Sequence, residues 1–186
     1  MTAAVARREV LAEGHHLRLV RRDGWEYTER TRGTGVVVIV AVTDDGRLLL
    51  TEQHRTPVGT PVVELPAGLA GDRAEDVAED LKTAARRELL EETGYEADAF
   101  ERLAEGPPSA GLSSEVVTFL RATGLRRVGP GGGDQHEAIT VHAVPLGEVP
   151  GWLDAVARRG CLVDPKVYAG LYFAALPLEA ERRGDH

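Results

Sequence analysis

Arg87-Glu88-Leu89-Leu90-Glu91-Glu92-Thr93-Gly94-Tyr95 places three carboxylates in the last turns of a segment that reads as a helix ended by a glycine. At about 100° per residue, Glu92 stands ~40° to one side of Glu88 and Glu91 ~60° to the other, so the three acids share one narrow face. Like charges at such spacings cost a few tenths of a kcal/mol per pair, and near a helix C-terminus they also oppose the macrodipole. A hard divalent cation would offset that cost, since Mg²⁺ takes carboxylate oxygens, keeps some waters and bridges to substrate phosphates. A solvated acidic face is the other reading, and it accounts for most charge runs on helices. Arg87, placed to orient or partly neutralise the acids, and the small Ala84 and Ala85 one turn earlier weigh toward a metal.

Arg-Glu-Leu-x-Glu-Glu-x-Gly-Tyr resembles the second half of the Nudix box, a pattern of a glycine, five residues, a glutamate, seven residues and then Arg-Glu-apolar-x-Glu-Glu-x-Gly-apolar. Glu79 occupies the upstream glutamate position, and Glu64-Leu65-Pro66-Ala67-Gly68 is similar to a segment common among the ADP-ribose pyrophosphatases of that family. Trp25-Glu26-Tyr27 with Glu29-Arg30, then Gln53-His54-Arg55, and Val141-His142-Ala143-Val144-Pro145-Leu146 extend the likeness over most of residues 15–178.

The resemblance implies an α/β fold, a Nudix-type α/β/α sandwich with a mixed β-sheet and an N-terminal antiparallel hairpin. It implies metal-dependent hydrolysis of the pyrophosphate bond of a nucleoside diphosphate linked to another group, ADP-ribose giving AMP and ribose 5-phosphate. GDP-mannose or another nucleoside diphosphate sugar is the alternative substrate, and a non-catalytic nucleotide-sensing module the alternative of another class. Two or three Mg²⁺ ions, or Mn²⁺, are then expected on Glu88, Glu92 and the backbone carbonyl of Ala67, with Glu91 as partner or occasional ligand. Gly68, Leu69, Arg55, Trp25 and Glu115 are the corresponding substrate contacts. Glu137 matches the loop glutamate that places the attacking water, with His136, Asp134 and Gln135 as substitutes. The resembling enzymes are homodimers, with the N-terminal strands reaching the partner's nucleotide.

Several of these positions carry a second reading from the residues themselves. Ala67-Gly68 could be an ordinary tight turn, Arg55 a sheet-edge ion pair instead of a bidentate phosphate contact, and Trp25 a seal on an interface instead of a purine stack. Two departures from the family pattern stand out. Ten residues, not five, separate Gly68 from Glu79, leaving the role of Glu79 open and allowing a capping box at Asp72-x-x-Glu75. Ala110 stands where ADP-ribose pyrophosphatases usually carry a proline.

At 186 residues the chain fits one domain, expected over residues 15–178 with a hairpin at 15–32, between a flexible arm (1–14) and a polar tail (179–186). A net charge of −8 argues against a nucleic-acid or acidic-membrane surface. A phosphorylated small molecule remains compatible, because bound metal supplies local positive charge. The single Cys161 excludes an internal disulfide and reads as a small buried apolar residue. Residues 1–16 lack the apolar core of a secretory signal, and Val36 to Val42 is too short to span a membrane, so a cytoplasmic protein is expected.

Leu17 to Val20 and Trp25 to Arg30 alternate around Asp23-Gly24, a two-residue hairpin signal. Val36 to Val42 and Leu48 to Glu52, joined by Asp44-Asp45-Gly46, predict a second hairpin, and Val62 to Leu65 a short strand broken at Pro66-Ala67-Gly68. The acidic helix is expected from Leu81 to Thr93, strands at Tyr95–Ala104, Val116–Ala122 and Ile139–Val144, and helices at Pro150–Arg158 and Pro165–Leu176. Gly129-Pro130-Gly131-Gly132-Gly133-Asp134 reads as flexible loop. Strands interleaved with about three helices, without regular βαβ alternation, point to a mixed α/β sandwich.

Overall fold

The computed structural model describes residues 8–71, 79–133 and 138–177. β1 (Arg8–Glu13), β2 (Leu17–Arg22) and β3 (Trp25–Arg30) form an antiparallel three-stranded sheet. Asp23 and Gly24 turn β2 into β3 with φ of 52° and 80°, the paired positive values that a tight two-residue hairpin requires. Residues 8–13 fall within the stretch expected to be a flexible arm, and they pair with β2 from Arg8↔Arg22 to Glu13↔Arg18. Their side chains are almost all exposed, so no buried face imprints alternation on the sequence.

β4 (Gly35–Ala41) and β5 (Arg47–Arg55) follow, then β6 (Thr60–Glu64) and β7 (Ala67–Ala70). α1 (Leu81–Thr93) matches its expected span and leads to β8 (Tyr95–Glu96), β9 (Ala99–Gly106), β10 (Val117–Thr123) and β11 (Arg126–Arg127). β12 (Thr140–Pro145), α2 (Val149–Arg158), β13 (Leu162–Val163) and α3 (Pro165–Ala174) complete the order. The single strand expected from Tyr95 to Ala104 is broken between β8 and β9, which belong to different sheets.

The predicted β4–β5 hairpin does not form. β4 lies between β7 and β10, β5 lies between β12 and β6, and one bridge, Val42↔Leu48, is what the two retain of a shared ladder. The reason is burial: Val37 to Ala41 are at most 1% exposed, and a strand with both faces and both edges covered takes partners from distant sequence. β4 pairs in parallel with β10 and antiparallel with β7.

Successive β4 side chains point to opposite faces. Val38 and Val40 join Leu48, Leu50, Val149, Leu153 and Val167 in a core under α2 and α3. Val37, Ile39 and Ala41 join Ala84, Ala85 and Leu89 in a second core under α1. Two cores on the two faces of one strand are the layering of an α/β/α sandwich. No helix of the described residues is long and apolar enough to cross a membrane.

Candidate active site

α1 starts at Asp80, whose carboxylate accepts from the Lys82 and Thr83 amides at 2.9 and 3.1 Å, a strong N-cap. The capping box envisaged at Asp72 and Glu75 lies outside the described residues. Gly94, at φ 74°, ends the helix in the left-handed conformation. Ala84, Ala85 and Leu89 turn to the sheet, and the two alanines permit a close approach to β7. The opposite consequence of that rotation is that Glu88 and Glu92 face β7 and line a cleft of about 400 Å³.

β7 is the strand the sequence presents as a break. After Glu64 in β6 the chain leaves one sheet and joins the other, so Ala67, Gly68 and Leu69 pair with Val38, Val37 and Val36 while lining the cleft. A Cβ on Gly68 would fall 1.9 Å from Cδ of Glu88. The glycine therefore creates the space the carboxylate fills. Ala67 N donates to Glu92 Oε2 at 3.0 Å, and the Glu92 residue is 4% exposed.

Arg87 organises the acids. Its guanidinium donates to Glu88 Oε1 at 2.7 Å, Glu91 Oε2 at 3.4 Å, Glu79 Oε2 at 3.1 Å and the Leu69 carbonyl at 2.8 Å. Burial works against its charge, but Glu79 and Glu88 outweigh that and raise its pKa above the ordinary arginine value. Glu79 also accepts from Gly71 N at 3.3 Å. Glu79 thus braces the guanidinium of Arg87 and is not among the residues that line the cleft.

The other wall carries paired charges. Arg55 Nε donates to Glu64 Oε2 at 2.6 Å and Arg30 Nε to Glu115 Oε2 at 2.5 Å, all four residues lining the cleft with Gln53 and Lys166. Arg55 therefore makes an ion pair and faces the cleft at once. Lys166, in the first turn of α3 and paired with Asp164, has no counterpart in the sequence reading; Asp164-Pro165-Lys166 is a helix-start signal that could have drawn attention to it.

Trp25 is not brought to this cleft. It is 62% exposed, donates its indole N–H to Gly111 O at 3.2 Å and lines a neighbouring concavity with Tyr27, Ala110, Ser113 and Ser114. Glu137, His136, Asp134 and Gln135 lie outside the described residues.

The donor set suits a hard cation, with two carboxylates beside the main chain of β7 at Ala67 and Gly68. Among the described residues no three acidic, histidine or cysteine side chains converge as a finished cage. Arg87 and the Ala67 amide engage Glu88 and Glu92, but a carboxylate has about four lone-pair sites, so one such bond does not exhaust it.

Residues 31–160 match the NUDIX domain. The chain is 33% identical over 121 residues to the methanol dehydrogenase activator of Bacillus methanolicus, covering 64% of this chain and 63% of that protein. It is 39% identical over 141 residues to the ADP-ribose pyrophosphatase of Mycobacterium tuberculosis, covering 74% and 63%. The match thus spans less than two thirds of the length of either relative. A solved ADP compounds hydrolase superposes with a TM-score of 0.63 at 22% identity, over 80% of both chains, a likeness of fold.

Proposed function

The chain belongs to the Nudix family, and from that premise we propose that it hydrolyses the pyrophosphate bond of a nucleoside diphosphate joined to another group, with ADP-ribose as substrate and AMP and ribose 5-phosphate as products. One observation carries the reading: the Glu88 and Glu92 carboxylates line one cleft with Arg30, Arg55 and Lys166. A diphosphate needs cations along its oxygens and a hard-metal site beside the phosphorus under attack, and the arginines, lysine and glutamates that line this cleft of about 400 Å³ support that reading. The 39% identity to an ADP-ribose pyrophosphatase supports ADP-ribose over other linked diphosphates.

Nudix enzymes generally depend on divalent metal, which when bound supplies an acidified water and neutralises phosphoryl charge. In our reading two or three Mg²⁺ ions, with Mn²⁺ as substitute, are held by Glu88, Glu92 and the Ala67 carbonyl, with Glu91 at the margin. Arg87 orients Glu88, and the Ala67 amide orients Glu92. Arg55 and Arg30 exchange part of their bonding to Glu64 and Glu115 for phosphate oxygens when substrate enters. Gly68, which has no side chain, and Leu69 line the floor along which the diphosphate can lie. Glu137 takes a proton from the attacking water, with His136 as its competitor for that role. The active species is a homodimer in which Trp25 meets the nucleotide bound by the partner.

A Mg²⁺-dependent screen of ADP-ribose, nucleoside diphosphate sugars including GDP-mannose, dinucleotides and nucleoside triphosphates, with products identified, tests the proposal. AMP with ribose 5-phosphate as the fastest product pair is the expected result. Faster turnover of GDP-mannose would reassign the substrate, and tight nucleotide binding without hydrolysis of any member would mark a sensor.

A further inference from the structure

Backbone donors converge on the C-terminal end of α1 from a stretch whose composition presents it as featureless. Gly132 N donates to Glu92 O at 2.8 Å and Gly133 N to Glu91 O at 3.0 Å, beside the helix's own cap bond from Gly94 N to Leu90 O at 2.9 Å. The last four carbonyls of a helix have no partner within it. In α1 they carry the negative end of the dipole beside three carboxylates, with no basic residue in the last turn. The glycine N–H groups supply the positive partial charge that a lysine or arginine gives elsewhere. Glu92 is consequently held at both ends, its carbonyl by Gly132 and its carboxylate by Ala67 N.

The contact is between main chains. Gly131 has φ 70°, and a Cβ there would stand 2.4 Å from the Thr93 carbonyl carbon and 2.6 Å from Glu92 O. From the other side, a Cβ on Gly94 would stand 2.3 Å from Gly129 O. These neighbours are backbone atoms of a packed helix end and cannot swing aside.

We propose that Gly131 is a positioning residue for Glu92. A side chain at residue 131 drives the glycine run off the helix end, withdraws the Gly132 and Gly133 donors, and lets the turn carrying Glu91 and Glu92 shift against β7. The inference rests on Glu88 and Glu92 being metal ligands, and it places the defect in ion binding, before any substrate arrives.

The test is Mn²⁺ binding to substrate-free protein by electron paramagnetic resonance, with kcat, KM and Tm measured alongside, for Gly131→Ala and Gly46→Ala. Gly46 has φ 76° and no heavy atom within 4 Å of a built Cβ, so its variant carries the same backbone strain without the clash. Gly131→Ala is expected to weaken Mn²⁺ binding about tenfold or more and to lower kcat with KM within about twofold, while Gly46→Ala leaves all three unchanged. Equal Mn²⁺ affinity in the two folded variants would overturn the inference. If Gly131→Ala does not fold, Gly132→Ala replaces it: its methyl meets nothing closer than Ile139 O at 3.6 Å, yet φ of 111° strains the donor to Glu92. A loss of about threefold is expected there, and unchanged Mn²⁺ binding overturns the inference equally. Wild-type protein that binds no Mn²⁺ would instead remove the ligand reading of Glu88 and Glu92 on which it rests.

Discussion

The backbone N–H of Ala67 donates to Oε2 of Glu92 at 3.0 Å, a bond from β7 to α1 made at the carboxylate itself. A glutamine at residue 92 can still accept it through its amide oxygen, so Glu92→Gln keeps the strand-to-helix tie and deletes the charge. We expect a Tm within a few degrees of wild type and a loss of activity of about 10²-fold or more at saturating Mg²⁺. Near-normal turnover in the folded variant would remove Glu92 from the metal site.

Gly68→Ala tests the opposing wall. Its methyl would overlap the Glu88 carboxyl, so the carboxylate must leave its place beside Arg87. Activity is expected to fall at least tenfold, and a structure of the variant should show the Glu88 side chain displaced. Retention of both activity and rotamer would mean that β7 yields instead.

Glu137→Gln is expected to lower kcat by roughly 10²-fold with little change in KM, the pattern of a group used in the transition state. His136→Ala should be milder. The reverse ranking would hand the base to the histidine.

Asp80 gives a pH signature. The Thr83 hydroxyl, then the Thr83 and Lys82 amides, hold its carboxyl below the ordinary aspartate range. A depressed folded-state pKa contributes stability that is present above the unfolded value of about 3.9 and is lost as pH falls through the folded one. Asn caps almost as well but does not titrate. The Tm advantage of wild type over Asp80→Asn should therefore be constant near neutrality and vanish in acid below that range. An advantage unchanged down to pH 2 would show that Asp80 acts without its charge.

Leu17 and Leu19 lie on one face of β2 and are 48% and 37% exposed, a sheet face that a second copy can cover. Light scattering at micromolar concentration is expected to give a dimer, and Leu17→Glu with Leu19→Glu a monomer. Trp25→Ala should weaken substrate binding in the dimer. A wild-type monomer ends the proposal, whereas an intact dimer with unchanged affinity ends only the stacking role.

What could be read in advance follows from how locally each feature is encoded. The span of α1 is written in its cap, its period and its stop glycine, all within one stretch, and the Asp23-Gly24 turn likewise. β7 is not legible in the sequence because Ala67-Gly68-Leu69-Ala70 has neither β-branched residues nor alternation; it is a strand because β4 offers it an edge. Asp44-Asp45-Gly46 signals a turn without saying whether the flanking strands pair, so the turn is legible and the sheet partners of β4 and β5 are not. The glycine run at 131–133 reads as loop because its bonds are made by backbone N–H groups, which leave no trace in residue type. Lys166 reaches the cleft through the packing of α3, a tertiary fact.

The exchange of sheets after β4 also bears on how the molecule is made. β4 emerges from synthesis well before β10, its parallel partner, so the run Val36 to Ala41 has half its ladder missing until the chain has passed α1 and β9. Closing so long a loop carries an entropic cost that only the finished pairing repays, which slows folding and leaves an apolar edge exposed meanwhile.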